Sequence, residues 1–175
     1  MSDTPHNTPQ HTPSDTSAQA RQAARLAAVQ AIYQMELTER GAEEVIEEFG
    51  DRDFVTDKEL WPAGAPDEEF FGDIVRGVPQ YQDDIDRVIT QGLAKNWSLK
   101  RIDSILRAIL RAGVFELIVR KDVPAKVVID QYMELAHAFF EGDEPSFVNA
   151  VLDKTAHRKR AAEFGETPPD DEIQF

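Results

Sequence analysis

Apolar residues recur at helical spacing along almost the whole chain, and no alternating run is long enough to supply a strand. An all-α fold is therefore expected. Leu26, Val29, Tyr33 and Leu37 fall at i, i+3, i+7 and i+11, with Thr16 or Ser17 as a cap, and Val45, Ile46 and Phe49 mark a short second helix. Phe71, Ile74, Val78, Tyr81, Ile85, Val88 and Gly92 keep one heptad phase across Pro79, which predicts a single long helix kinked at that proline. Ser98 and Asp103 are candidate caps for a short turn and for a helix with Leu106, Ile109, Leu110, Gly113 and Leu117 inward. Pro124 opens a helix that buries Val128, Tyr132, Leu135 and Phe139 and stops at Gly142; Pro145 opens the last, with Val148, Val151 and Leu152 inward. The only strand-like triplet, Val127-Val128-Ile129, sits inside a helical pattern, so the count is six to seven helices.

The breaks in this pattern set the organisation. Residues 1–17 are mostly Pro, Thr, Ser, His, Asn and Gln with little to bury, so nothing offsets their ordering entropy. Gly50, Pro62, Gly64 and Pro66 make residues 50–66 the longest internal loop, with Pro66 suited to a first helical position. The expectation is a disordered tail over 1–20, a helical domain over 21–160 and an acidic disordered tail over 161–175. One hydrophobic core is the default at 175 residues.

Charge is segregated along the chain. The net is −14, yet residues 36–73 carry 14 acidic and 3 basic side chains, while residues 95–126 carry 8 basic and 3 acidic. Residues 154–160 add 4 basic and no acidic side chains. Such asymmetry fits an anion-facing surface on a self-repelling protein, and equally a set of solvated helix faces. The absence of cysteine removes disulfides, thiol nucleophiles and thiolate metal sites, as is usual in a reducing compartment. The N-terminus has neither a basic start nor an apolar run, and no stretch approaches the roughly 18 apolar residues of a spanning helix. A cytoplasmic protein with no membrane partner is expected.

Catalytic signatures are lacking: HExxH, GxxxxGK[ST], GxSxG and GxGxxG do not occur. His6, His11, His137 and His157 do not converge at metal-ligand spacing, and Asp83, Asp84 and Asp86 diverge on a helix, so neither a cofactor nor a metal is expected. Glu43, Glu44, Glu47 and Glu48 repel at i, i+4 unless cations cover them. Arg21 and Arg25 stand one turn apart near the start of the first helix and can meet successive phosphates; without a ligand they are two exposed arginines. Phe147 points about 100° from the inward Val148, so it is either a stacking platform for an unpaired base or one more core aromatic.

Four blocks in order resemble the NusB family of bacterial transcription antitermination factors. They are Ala24 to Gln34 (ARLAAVQAIYQ), Ile109 to Leu117 (ILRAGVFEL), Val123 to Asp130 (VPAKVVID) and Phe147 to Lys154 (FVNAVLDK). The resemblance covers roughly residues 20–158 and implies two packed helical-bundle subdomains, here about 21–94 and 97–160. It also implies a non-enzymatic factor that holds the boxA element of nascent ribosomal RNA, as single strand, together with the ribosomal protein NusE in the transcription elongation complex. On that view Arg21, Arg25, Lys154 and Arg158 are phosphate contacts, Phe147 is the aromatic offered to RNA, and Asn149 lies in the same block. The family often has a dense arginine cluster where this chain has Gln22, Ala23 and Ala24, which implies weak RNA affinity alone. The acidic surplus of residues 36–73 would then serve the basic partner. The alternative is a protein-interaction or dimerisation module with little RNA binding of its own. Kinship with the helical domain at the front of ribosomal RNA cytosine methyltransferases is weaker, because no α/β cofactor domain follows residue 160.

Overall fold

The computed structural model describes residues 13–51 and 65–170, and the distal parts of both tails and most of the long loop lie outside these. Seven α-helices and two short 3₁₀ turns make up the described chain, with no strand among these residues: α1 (Pro13–Thr38), α2 (Ala42–Asp51), α3 (Glu68–Gln80), α4 (Gln82–Gly92), α5 (Ser104–Val119), α6 (Ala125–Phe139) and α7 (Glu144–Lys159). The 3₁₀ turns are Leu99–Arg101 and Ala161–Phe164. No helix among the described residues is long and apolar enough to cross a membrane.

Helix α5 is the hub, packing against α1, α3, α4, α6 and α7. The expected stripe of Leu106, Ile109, Leu110, Gly113 and Leu117 is buried, but so are Ala108, Ala112, Val114, Phe115 and Glu116, so no face of its middle is left to water. Asp103 caps it as its type predicts, accepting from the backbone N–H groups of Ile105 and Leu106. Ser98 precedes the first 3₁₀ turn without a side-chain capping bond.

Three expectations are corrected. Helix α1 begins at Pro13, inside the segment assigned to the tail, with proline at the helix start where its missing N–H costs nothing. Of the expected stripe only Val29 is fully buried; Leu26 and Tyr33 lie at the edge and Leu37 is 60% exposed, and the rest of the buried face is Ala24, Ala27, Ala28 and Ala31 with Ile32. Small side chains there let α3 and α5 approach closely, which a search for large apolar residues cannot anticipate. Residues 71–93 form two helices, not one. Pro79 has no N–H for the ladder, and Tyr81 leaves the helical region at φ −109°, ψ 18°. The apolar phase nevertheless survives, because the Tyr81 N–H reaches the Gly77 carbonyl and the Ile85 N–H reaches that of Tyr81. The break also marks a change of partners, since α3 packs on α1, α2 and α5, and α4 mainly on α5 and α7.

Two smaller differences concern helix and tail ends. Pro66 stands before the helix, and Asp67 is the cap, accepting from the Phe70 N–H at 3.0 Å. The start of the assigned C-terminal tail is tied down: the carboxylate of Glu163 accepts from the backbone N–H of Ala125 and from Arg160.

Gly113 sits where α5 meets α6 and α7. A Cβ there would lie 3.0 Å from both methyl carbons of Leu152 and 3.4 Å from the Tyr132 ring. Filling that approach with Gly113→Leu should cost about 1–3 kcal/mol by overpacking, read as a fall in melting temperature; an unchanged melting temperature would show that the helices can separate freely here.

Candidate nucleic-acid interface

The structure sorts the basic residues into internal structural cations and exposed ones. Arg25 is the main correction. It is only 3% exposed, and its Nε and Nη2 donate to the two carboxylate oxygens of Glu116, each at 2.9 Å, with Glu116 itself at 0% exposure. Burial works against the Arg25 charge, but the hydrogen bonds and charge of Glu116 outweigh it and hold the guanidinium ionised. Tyr132 is fully buried beside the pair, and burial together with the Glu116 charge keeps its hydroxyl protonated. Arg25 is therefore a core residue with no surface left for a phosphate.

Arg160 is likewise internal. It donates to the backbone carbonyls of Glu116, Leu117, Arg120 and Val123, thereby satisfying the carbonyl end of α5 with a cation. Arg107 pairs with Glu36, and Arg111 with Glu36 and Asp86. The hydrogen bond from Arg107, partly opposed by burial, lowers the Glu36 pKa. Arg120 pairs with Asp73 and Asp122. Three of the four glutamates of α2 form ion pairs within the chain while staying at the surface, Glu44 and Glu48 with Arg40 and Glu43 with Arg76, so the face remains acidic and accessible. Asp83, Asp84 and Asp86 do not converge on a site, since Asp86 binds Arg111 and Asp84 meets Arg87. No group of three or more metal-ligating side chains gathers among the described residues.

The other sequence candidates are spread over the start of α1 and the length of α7. Arg21 is half-buried, with its guanidinium 4.9 Å from the centre of the Phe70 ring, a ring that Arg25 and Arg120 also approach. Phe147 lies near the start of α7, half-buried against the core, with its ring 6.2 Å from that of Trp97. Asn149 and Lys154 are exposed on α7, while Arg158 is half-buried and already engaged within the fold. Leu152 of α7 packs at Gly113 and Arg160 binds the carbonyl end of α5, so the two helices run in the same sense. Phe147 and Arg160 are then about 20 Å apart along α7, at 1.5 Å per residue. Arg21, close to Arg120 through the shared Phe70 ring, belongs to the Arg160 end. The candidates are therefore spread along the helices and do not meet in a pocket. Trp97 is a residue that sequence reasoning missed, although a tryptophan in the polar, basic run LAKNWSLKR is a visible signal.

Seven helices packed around α5, with no strand among the described residues, define an all-α helical domain. The chain belongs to the NusB family, whose model matches residues 22–157. It is 50% identical to the transcription antitermination protein NusB of Maricaulis maris over 136 residues, 78% of this chain and 85% of the relative. It is also 50% identical to that of Caulobacter vibrioides, over 75% of this chain and 89% of the relative. Among solved structures, Thermotoga maritima NusB superposes with a TM-score of 0.69 at 29% identity, covering 89% of this chain and 99% of that one. A structure of the antitermination factors NusB and NusE in complex with double-stranded RNA gives a TM-score of 0.65 at 24% identity, over 78% and 95% of the two chains.

Proposed function

We propose that this chain is a non-enzymatic, cytoplasmic RNA-binding antitermination factor that holds the boxA element of nascent ribosomal RNA with NusE in the transcription elongation complex. The observation that carries this reading is the 50% identity to NusB antitermination proteins across three-quarters of the chain. The partnership of NusB, NusE and RNA in one complex of the same fold supports it. Tethering needs no reacting group; it needs cations for phosphates and aromatic faces for unpaired bases. Arg21 and Lys154 serve as phosphate contacts, Phe147 as the stacking face and Asn149 as a polar contact beside it, with Arg158 adding positive potential from within the fold.

The test is RNA affinity of full-length variants with boxA-type single-stranded RNA in the presence of NusE. Lys154→Glu should weaken binding to all RNAs and flatten the log–log salt dependence by about 0.7 for each phosphate no longer neutralised. Phe147→Ala should cost about 1–3 kcal/mol of affinity. If Phe147→Ala instead lowers the melting temperature and leaves the affinity of the folded protein intact, Phe147 is a packing residue and not part of the interface.

A further inference from the structure

We propose that Trp97, with Phe147 beside it, forms a two-ring platform for an unpaired RNA base, and that Lys95, Lys100 and Arg101 hold the phosphates of the same strand. This rests on the RNA-binding reading above and adds to it a segment outside the four resembling blocks. Tryptophan has a large apolar surface that folding normally covers, yet Trp97 is 56% exposed. It does not dangle. The Trp97 N–H bonds to the Ala94 carbonyl at 2.9 Å, a 3₁₀ turn follows at once, and buried Leu93 and Ile102 anchor the two ends of the segment. Its ring lies 6.2 Å from that of Phe147 at a tilt of 37°, and Phe147 in turn packs against the core. An aromatic surface held in place before binding loses little entropy when a base stacks on it.

The surrounding charge points to a polyanion. Lys95, Lys100 and Arg101 are exposed, and none forms an ion pair with another described residue, whereas Arg107, Arg111 and Arg120 in the same basic stretch are neutralised internally. Three unpaired cations within seven residues, around an exposed tryptophan, suit a single strand, which offers phosphates and bases together. A protein partner for this segment would need acidic groups facing it, and the partner proposed above is basic.

The experiment uses the full chain carrying Trp61→Phe, so that Trp97 is the single tryptophan, titrated with boxA-type single-stranded RNA with and without NusE. Binding should quench Trp97 fluorescence. Trp97→Ala should weaken affinity roughly 5- to 150-fold, the loss of one stacked base, at an unchanged melting temperature; Trp97→Phe should restore most of it. If Trp97→Ala binds RNA like its parent while Phe147→Ala binds worse, the platform is overturned and the RNA-binding reading stands. A lowered melting temperature with intact affinity makes Trp97 a packing residue and also overturns the platform. If the parent protein binds no RNA even with NusE, the function itself fails.

Discussion

Arg25→Ala is expected to destabilise the protein by about 3–5 kcal/mol, because it leaves the Glu116 carboxylate charged, unpaired and out of reach of water. Against a net folding free energy of about 5–15 kcal/mol, that is a large share of the total. With each kcal/mol worth about 2–4 °C in a protein of this size, the melting temperature should fall by roughly 6–20 °C in a thermal melt followed by circular dichroism. Glu116→Ala should do comparable damage by stranding the guanidinium. The double variant Arg25→Met with Glu116→Leu removes both charges and should recover most of the loss, since a buried pair is often replaceable by apolar groups of similar volume. Additive damage in the double variant would show that the helices depend on the hydrogen bonds and not merely on charge balance. The same experiment separates two roles that the sequence cannot distinguish. A charge reversal at Arg25 that abolished RNA binding would report unfolding, so affinity must be read on the folded fraction alone.

That ambiguity shows where the sequence stops being informative. Helical periodicity is a local property, and it places α2, α5, α6 and α7 because each buries a face spaced by its own turn. Caps are local too, and Asp103 acts as its type predicts. Burial of a charged residue is decided at long range. Nothing near Arg25 announces Glu116, 91 positions on, and nothing near Arg160 announces the open carbonyls of α5 that it closes. Arg21 and Arg25 look alike in sequence, one turn apart, yet Arg21 stays half-exposed over Phe70 while Arg25 enters the core. Most of the α1 face, Val29 apart, is hidden from the sequence for a related reason. Size marks an inward residue only where helices are held apart, and here alanines bring them together. At Tyr81 the apolar phase runs on while the backbone leaves the helical region, so the pattern implies one helix where the backbone makes two. Arg25 lies in the first of the four blocks and Glu116 in the second, so this long-range pair joins two of the segments that carry the resemblance.

Removing Arg25 and Arg160 from the surface lowers the positive field further than the net charge of −14 alone suggests. Arg107, Arg111 and Arg120 are also engaged by internal carboxylates. What faces solvent without an ion pair among the described residues is a scatter that includes Lys95, Lys100, Arg101 and Lys154, together with half-buried Arg21. Electrostatic binding of this kind gives a Kd of about 10⁻⁴ to 10⁻⁶ M at physiological salt. A basic second subunit would change that in two ways. It would dock through steered association with the acidic surface, and its cations would add to those of this chain, so that one strand engages both proteins at once. The chain is therefore expected to bind boxA-type RNA weakly alone and at least about 100-fold more tightly with NusE, towards the 10⁻⁸ M range typical of specific nucleic-acid complexes. The measurement is RNA affinity for each protein separately and for the mixture at one fixed salt concentration, then for the mixture across a salt series. The complex should show the steeper salt dependence, by about 0.7 in log–log slope for each further phosphate neutralised. If the mixture binds no better than its stronger component, the two proteins do not share a strand, and the chain acts as a protein-interaction module with RNA held elsewhere in the assembly.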